Sequence, residues 1–163
     1  EMGFAHIGKN PKLSDKASYY NCNNINIGDN VRIDDFCVIS AGSGGIRIGS
    51  HVHIAVSSLL IGQEKITLDD FSGISSRVSI YSSSDDYTGA ALTNPTIPAE
   101  FANVTHATVS IGRHVIIGSG SVVLPGVTLE EGVAIGALSL VSKSCKALGI
   151  YSGVPARRVK ERK

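Results

Sequence analysis

Aliphatic residues recur at every sixth position over most of this chain, and this spacing constrains the fold more than any other feature. The longest unbroken series is Ile111, Ile117, Val123, Leu129, Ile135 and Val141, and shorter series are Leu68/Ile74/Ile80, Ile48/Ile54/Leu60, Ile27/Ile33/Ile39 and, more weakly, Ile7/Leu13/Tyr19. The joins between series are short, except for the one from Ile80 to Ile111. A constant period held over many units indicates an internal structural repeat.

Within each unit, two aliphatic residues flank one residue of any type, as in Val31-Arg32-Ile33 and Val127-Thr128-Leu129. Alternation with a period of two points the outer pair inward and the middle residue outward. Each unit therefore predicts a very short strand followed by a corner, and three units make one triangular coil. Coils stacked on one another bury a shared prism-shaped core. We expect about five coils. A β-sandwich, the main alternative, does not hold a six-residue phase over six successive units.

The composition suits a narrow, repetitive β structure. Gly is abundant at 18 residues, Trp is absent and aromatic residues reach only 6%. Disorder is disfavoured because 42% of the residues are hydrophobic and only 18% are charged. A net charge of +1 gives no support for a nucleic-acid partner, and no apolar run long enough for membrane insertion and no signal peptide are recognised. Cys22, Cys37 and Cys145 are an odd, scattered set, which favours a reducing cytoplasm over a disulfide framework.

Residues 81–108 leave the repeat. A loop of this length in a compact repeat protein is usually functional or disordered, and its apolar and proline content, including Tyr87, Pro95 and Phe101, favours an ordered loop. We expect it to leave between the third and fourth coils and to form a wall of the active site. Residues 145–163 are expected to form a basic tail with helical character from Pro155 onward, so that 1–163 is a single domain.

The C-terminal half carries a specific resemblance. It reads VSIGRHVIIGSGSVVLPGVTL over 109–129, IGALSLVSK over 135–143 and GVPAR over 153–157. With the periodicity, this resembles the hexapeptide-repeat acyltransferases, which include galactoside, maltose, serine and xenobiotic acetyltransferases and sugar N-acetyltransferases of surface-polysaccharide pathways. The resemblance spans about 25–160. It implies an all-β, left-handed parallel β-helix that forms a homotrimer, with acetyl-CoA in the cleft between adjacent prisms. DDYTG over 85–89, followed by LTNP, further resembles a subgroup associated with O-antigen and amino-sugar modification.

The residues that match the cofactor contacts of this family are Ser119, Ala137, Ser142, Lys143, Arg157 and Lys160. Small residues allow the thin pantetheine arm to lie against backbone amide groups. The three cations are suited to the phosphates of the nucleotide as charge-assisted donors. The alternative is that these cations only solvate the tail.

Acyl transfer to an amine or hydroxyl needs a base for the proton of the acceptor and a donor for the developing oxyanion. Many members of the resembling family use a histidine in the extruded loop, but the segment 82–89 contains none. We predict instead that His53, the outward residue of its strand beside Gly73, is the base. Asp85 or Asp86 would hold its tautomer or bind the acceptor sugar.

Other interpretations of these residues stay open. His53 can be a solvated surface histidine, in which case His106 is the reserve candidate, and Asp85-Asp86 can be a turn. His51 and His114 are expected at corners facing solvent, and a nucleophilic Cys145 is disfavoured because the resembling family transfers the acyl group directly.

The sequence therefore predicts an acetyl-CoA-dependent acetyltransferase that needs no metal and acts on an amino or hydroxyl group of a sugar, with a nucleotide-linked amino sugar of O-antigen or surface-polysaccharide biosynthesis as the expected acceptor. One alternative is a zinc enzyme like the γ-carbonic anhydrases, for which His51, His53, His106 and His114 supply enough ligands but not a recognisable spacing. Another is a non-catalytic solenoid, as a scaffold or an ice-binding surface. The outward column Asn26, Arg47, Thr67, Ser110 and Thr128 is not the regular threonine ladder that an ice-binding face would show.

Overall fold

The computed structural model describes residues 3–163. Its short strands follow one another in a repeating order, with three strands in each coil. The first three coils contain β1 (His6–Ile7), β2 (Lys12–Leu13) and β3 (Ser18–Tyr20), then β4 (Ile25–Ile27), β5 (Arg32–Ile33) and β6 (Val38–Ala41), then β7 (Ile46–Ile48), β8 (His53–Ile54) and β9 (Leu59–Gly62). The fourth contains β10 (Ile66–Leu68), β11 (Gly73–Ile74) and β12 (Ser79–Tyr81), and a loop with β13 (Ser83–Ser84) and β14 (Thr105–His106) follows it. The last elements are β15 (Val109–Ile111), β16 (Ile116–Ile117), β17 (Val122–Val123), β18 (Thr128–Leu129), β19 (Ala134–Ile135), β20 (Leu140–Val141), β21 (Gly149–Gly153) and β22 (Ala156–Glu161).

Equivalent strands of successive coils pair in parallel and form three sheets. We call them sheet I (the first strand of each coil), sheet II (the second) and sheet III (the third), and we name each corner by the sheets it joins. The pairing keeps the six-residue phase, so Ile54 lies between Ile33 and Ile74 in sheet II. These inward aliphatic residues are 0–1% exposed. Burying each isoleucine contributes roughly 1.5–3 kcal/mol. The left-handed parallel β-helix that the period and the resemblance predict is confirmed.

The number of coils is larger than predicted. Within residues 3–163, six coils are complete and a partial seventh follows, because Cys145 bridges to Leu129 and β21 pairs with β19. The weak first series is also a full coil: Leu13 pairs with Ile33 and Tyr19 pairs with Ile39. Partial exposure at this end of the prism explains its weaker aliphatic pattern, since Leu13 and Tyr19 have only one neighbouring coil.

The corners bring the backbones of successive coils very close together. A Cβ added to Gly28 would lie 2.6 Å from the carbonyl carbon of Gly49 in the next coil, so a side chain at this position would force the coils apart. In corner I–II of three successive coils, the backbone has a positive φ angle even at residues other than glycine. These angles are 54° at Asn30, 58° at His51 and 61° at Phe71. This conformation is uncommon for such residues, and its repetition shows that the stacked coils dictate the backbone.

The extruded loop leaves between the fourth and fifth coils, and not between the third and fourth, because the weak first coil is complete. Its two ends pair antiparallel, with Ser83 opposite His106. Ala99–Phe101 forms a single 3₁₀ turn, and a bridge joins Leu92 to Ala102. The ends of the loop are therefore held together at the body of the prism, while Tyr87 projects with 92% of its surface exposed.

The prediction of a helical tail is wrong. β21 continues sheet II, and the chain then reverses at Val154-Pro155 so that β22 pairs antiparallel with β21. Without a further strand, β21 would leave a row of unpaired backbone groups at the edge of sheet II, and β22 satisfies them. Residues 3–163 contain no helix with the length and apolarity that crossing a bilayer requires.

We expect that Leu129→Ala lowers the free energy of unfolding by about 2–5 kcal/mol, because it leaves a cavity among fully buried side chains. Thr128→Ala, which changes the neighbouring outward residue of β18, is the matched control and should change stability by less than about 0.5 kcal/mol. Denaturant unfolding of both variants measures this difference. Equal losses in the two variants would contradict the inward and outward assignment.

Candidate functional site

Three of the predicted cofactor residues meet at corner II–III. Ser119 and Ala137 occupy this corner in successive coils, where the backbone N–H of Leu138 donates to the Ser119 carbonyl at 2.9 Å. The hairpin of β21 and β22 brings Arg157 to the same corner, since Arg157 pairs with Ser152 beside Gly136. Small residues and one guanidinium group therefore line the C-terminal end of this corner.

The other three predicted cofactor residues lie elsewhere. Ser142 and Lys143 follow β20 and are exposed at corner III–I, while Lys160 pairs with Ile150 near corner I–II. The six residues thus do not form one cluster within a single chain. However, the group of Ser119, Ala137 and Arg157 and the pair of Ser142 and Lys143 lie at the two corners that border sheet III.

The outward face of sheet III carries a row of residues in register, which begins with Ser18 and has Ser79 in its middle. The other four residues, which we call the aliphatic row, are Val38, Leu59, Val122 and Leu140. Each of these four is only partly buried in the single chain. An apolar row of this kind on the outside of a strand is suited to packing against another protein surface.

His53 projects outward from β8, as its position in the strand predicts, and its side chain is 48% exposed. Its Nε2 lies 2.8 Å from Oδ2 of Asp34, whose Oδ1 accepts a hydrogen bond from Nε of Arg32 at 2.6 Å. The carboxylate that contacts His53 is therefore Asp34, and not Asp85 or Asp86. An ionised carboxylate only accepts hydrogen bonds, so Nε2 carries the hydrogen and Nδ1 of neutral His53 is a proton acceptor.

Asp34 holds its charge because of its two partners. Burial raises the pKa of Asp34, but the hydrogen bonds from His53 and Arg32 and the attraction of their charges outweigh it, so the net pKa lies below the ordinary value of 3.8. Asp34 was not among the residues predicted from the sequence. The signal was available, because Arg32 is the residue in register with His53 one coil below and Asp34 follows two residues later.

The two loop carboxylates have different surroundings. Asp86 accepts hydrogen bonds from the backbone and hydroxyl of Thr88, at 2.8 and 2.7 Å, and from the backbone of Ala91 at 3.1 Å. These bonds lower its pKa, with the hydroxyl of Thr88 as the largest cause. Asp86 thus organises a turn, which is the alternative interpretation of this pair. Asp85 is exposed.

His106 lies at the base of the loop, next to corner III–I. Its Nδ1 is 2.8 Å from Oγ of Ser83, which accepts a hydrogen bond from the backbone N–H of Gln63 at 2.9 Å. The exposed ring is thus oriented by a fixed hydroxyl group, with Nε2 turned to the other side. This arrangement keeps His106 as the second candidate base.

A serine pair at corner II–III was also missed. Oγ of Ser76 lies 3.1 Å from Oγ of Ser119 in the next coil, where the two side chains are partly buried. The signal was the register: Ser76 and Ser119 each stand two residues after the paired Ile74 and Ile117. Two hydroxyl groups are therefore held together beside the predicted cofactor positions.

His51, His114 and Cys145 have surroundings that favour structural roles. His51 and His114 stack on the two faces of Phe71 at corner I–II, with ring centroids 5.1 and 5.2 Å away. Within residues 3–163 no group of three or more histidine, cysteine or acidic side chains is arranged to hold a metal ion. Burial raises the pKa of Cys145 to about 11, so this thiol is a poor nucleophile at neutral pH.

Comparison with known proteins identifies relatives along the whole chain. Residues 108–143 match the family described as "Bacterial transferase hexapeptide (six repeats)". A "dTDP-4-amino-4,6-dideoxy-D-glucose acyltransferase" from Escherichia coli is 57% identical over 162 residues, which cover 99% of this chain and 84% of that protein. A "putative lipopolysaccharide biosynthesis O-acetyl transferase", also from Escherichia coli, is 30% identical over 86% of this chain and 74% of its own length.

A solved structure is also similar over almost the whole chain. AntD, an N-acyltransferase from Bacillus cereus in complex with dTDP and 3-hydroxybutyryl-CoA, superposes with a TM-score of 0.95 and 48% identity, covering 99% of this chain and 85% of that chain. A variant of the same enzyme holds dTDP-4-amino-4,6-dideoxyglucose and coenzyme A.

We expect that His53→Ala raises the pKa of Asp34 toward 3.8, because this substitution removes the strongest of the contacts that lower it. The lowered pKa of Asp34 stabilises the folded protein at pH values above the ordinary carboxyl pKa. This contribution is lost as the pH falls through the pKa that Asp34 has in the folded protein. The variant should therefore lose less stability than the parent below pH 3.8. Carboxyl NMR titration measures the pKa. Asp35, whose pKa is lowered mainly by Ser14, is the internal control and should not move. An unchanged pKa of Asp34 would show that the contact with His53 is absent in solution.

Proposed function

Because the chain belongs to the hexapeptide-repeat acyltransferases, we propose that it transfers an acyl group from a coenzyme A thioester to the amino group of a nucleotide-linked 4-amino-4,6-dideoxy sugar. The observation that carries this proposal is the 57% identity, over 99% of the chain, to an acyltransferase named for that acceptor. Acetyl-CoA is the simplest donor. 3-Hydroxybutyryl-CoA, the thioester bound by the Bacillus cereus enzyme, is the second donor to test.

The active enzyme is a homotrimer in this proposal, with the aliphatic row of sheet III facing the three-fold axis. Packing these faces together would bring corner II–III of each subunit against corner III–I of the next. Ser119, Ala137 and Arg157 would then lie opposite the partner subunit's Lys143. The two separate groups of predicted cofactor residues support this arrangement, because each groove between subunits would be lined by both.

The thioester would lie along this groove. Pantetheine fits against the backbone of the small residues at Ser119 and Ala137, and Arg157 and the partner subunit's Lys143 are suited to the phosphates of the coenzyme. Each hydroxyl group of the Ser76–Ser119 pair has one hydrogen and one of the two is used within the pair, so the other would donate to the carbonyl oxygen as it gains negative charge.

His53 is the proposed base, with Asp34 as the residue that positions it. The nitrogen of the acceptor attacks the thioester carbonyl while Nδ1 of His53 takes one of its protons. The tetrahedral intermediate then collapses, the carbon–sulfur bond breaks, and the leaving thiolate takes a proton from the imidazolium. An amide and free coenzyme A result, and His53 is neutral again. The loop with Asp85 and Asp86 would cover the acceptor from the partner subunit.

The biological setting follows from the chemistry of the substrates. The relatives named for dTDP-amino-sugar acylation and lipopolysaccharide biosynthesis support a role in making O-antigen or another surface polysaccharide. A cytoplasmic location is supported by the need for a coenzyme A thioester and by the three free cysteines.

We expect the enzyme to release free thiol from acetyl-CoA or 3-hydroxybutyryl-CoA only when dTDP-4-amino-4,6-dideoxyglucose is present. His53→Ala should lower turnover by about two to four orders of magnitude, the usual contribution of a general base. A thiol-release assay measures both effects.

His51→Ala is the matched control, since this neighbouring histidine stacks at corner I–II, away from the groove. Loss of turnover in His106→Ala with full activity in His53→Ala would assign the base to His106. No acceptor-dependent thiol release from either donor would refute the proposed reaction.

A further inference from the structure

The outward residues of sheet II form a row whose character changes along the prism. In register, from the first coil upward, they are Lys12, Arg32, His53, Gly73, Ile116 and Ala134. Neighbouring positions are about 4.8 Å apart, the spacing of paired strands. The row therefore begins with two cations, continues through the proposed base and an open glycine, and ends with uncharged residues.

Lys12 and Arg32 border a shallow cavity of about 240 Å³, which Ser14, Asp34 and Asp35 also line. Nε of Arg32 is bound by Asp34, which fixes the plane of the guanidinium group. Among the residues that the structure describes, the two Nη groups of Arg32 and the ammonium group of Lys12 have no hydrogen-bond partner, and the side chain of Arg32 is 60% exposed. A fork of donors beside a second cation thus faces the cavity.

We propose that Lys12 and Arg32 bind the phosphates of the nucleotide that carries the acceptor sugar, so that the sugar extends along sheet II over His53 and Gly73. This inference rests on the proposed function and assigns the charged end of its acceptor to a place on the molecule.

The two carboxylates of the cavity do not oppose this assignment, because each has cations or donors of its own. Asp34 is held by Arg32 and His53, and Asp35 by Lys16, at 3.3 Å, and by the hydroxyl of Ser14. The charge of Lys12 is not offset by either contact. Guanidinium and ammonium groups bind phosphate oxygens through charge-assisted hydrogen bonds, and the planar guanidinium fork does so with two donors.

The other faces of the prism lack this combination. The matching row of sheet I contains a single strong cation, Arg47, and its Nη1 already donates to Asp69 at 3.0 Å. The matching row of sheet III consists of aliphatic residues and two serines and carries no charged side chain. Sheet II is therefore the face on which a ligand with one charged end and one neutral end can bind in a single orientation.

The register places the reacting group correctly for this ligand. His53 is one step beyond Arg32, and a Cβ added to Gly73, the next step, would meet nothing within 4 Å. Space for a sugar ring therefore opens beside the proposed base. Ser76 and Ser119 follow at the adjacent corner, so the amino group would point toward the proposed thioester position.

We expect that Arg32→Ala and Lys12→Ala each weaken the binding of dTDP, measured by titration calorimetry, by at least about tenfold, the loss expected when a charge-assisted hydrogen bond is removed. The KM for the dTDP-linked amino sugar should rise by a similar factor while the KM for the acyl-CoA stays unchanged. Arg47→Ala is the matched control, because it removes an outward, Asp-paired arginine of similar exposure from the neighbouring face. Thermal unfolding of all three variants confirms that they are folded.

Unchanged dTDP binding in Arg32→Ala and Lys12→Ala would overturn this inference, and the proposed function would stand if acceptor-dependent thiol release persisted. Weaker binding in Arg47→Ala than in these two variants would also overturn it. If the parent protein bound dTDP through Lys12 and Arg32 but released no thiol, the phosphate site would be supported and the proposed reaction would fail. If the parent protein bound no dTDP at all, the inference would be wrong.

Discussion

The in-register parallel pairing of successive coils is the constraint on which the rest of the structure depends. Each strand contributes only two to four residues in a complete coil, too few to be stable alone, so its hydrogen bonds and its buried aliphatic residue count only when neighbouring coils are in place. Ile54 packs between Ile33 and Ile74 for this reason. The same register forces corner residues such as His51 and Phe71 into the left-handed backbone region, because every coil must turn at the same place.

The register also determines which side chains are neighbours on the outer surface. Residues that are about twenty positions apart in the chain become neighbours, so one outward position per coil generates a row with a defined direction. On sheet II this row runs from Lys12 and Arg32 to His53 and Gly73, and on sheet III it is uncharged and mostly aliphatic. The proposed acceptor site and the proposed trimer contact thus consist of outward residues, whose identity the packing of the core does not constrain.

The sequence predicted the elements that depend on local period and missed those that depend on distances between coils. Alternation gave the inward and outward residues, and His53 is outward as expected. The contact between His53 and Asp34 was missed because strand alternation does not show which side chain of a neighbouring coil's corner reaches a given outward residue. The tail was assigned as a helix because composition does not reveal that sheet II ends with an unpaired edge, which β22 covers. In the proposed trimer, Ser142 and Lys143 of one subunit would meet Ser119 of the next, so a single chain would contain only half of that site.

A crystal structure of the protein with bound coenzyme A and dTDP would show directly whether the rows of sheets II and III form the proposed acceptor site and trimer contact. We expect three copies around an axis facing sheet III, with each coenzyme in a groove between Ser119 and Ala137 of one subunit and Lys143 of the next. We also expect the diphosphate on Lys12 and Arg32 of sheet II, beside that groove. Coenzyme A bound entirely by one subunit, or on a face away from corner II–III, would contradict this arrangement.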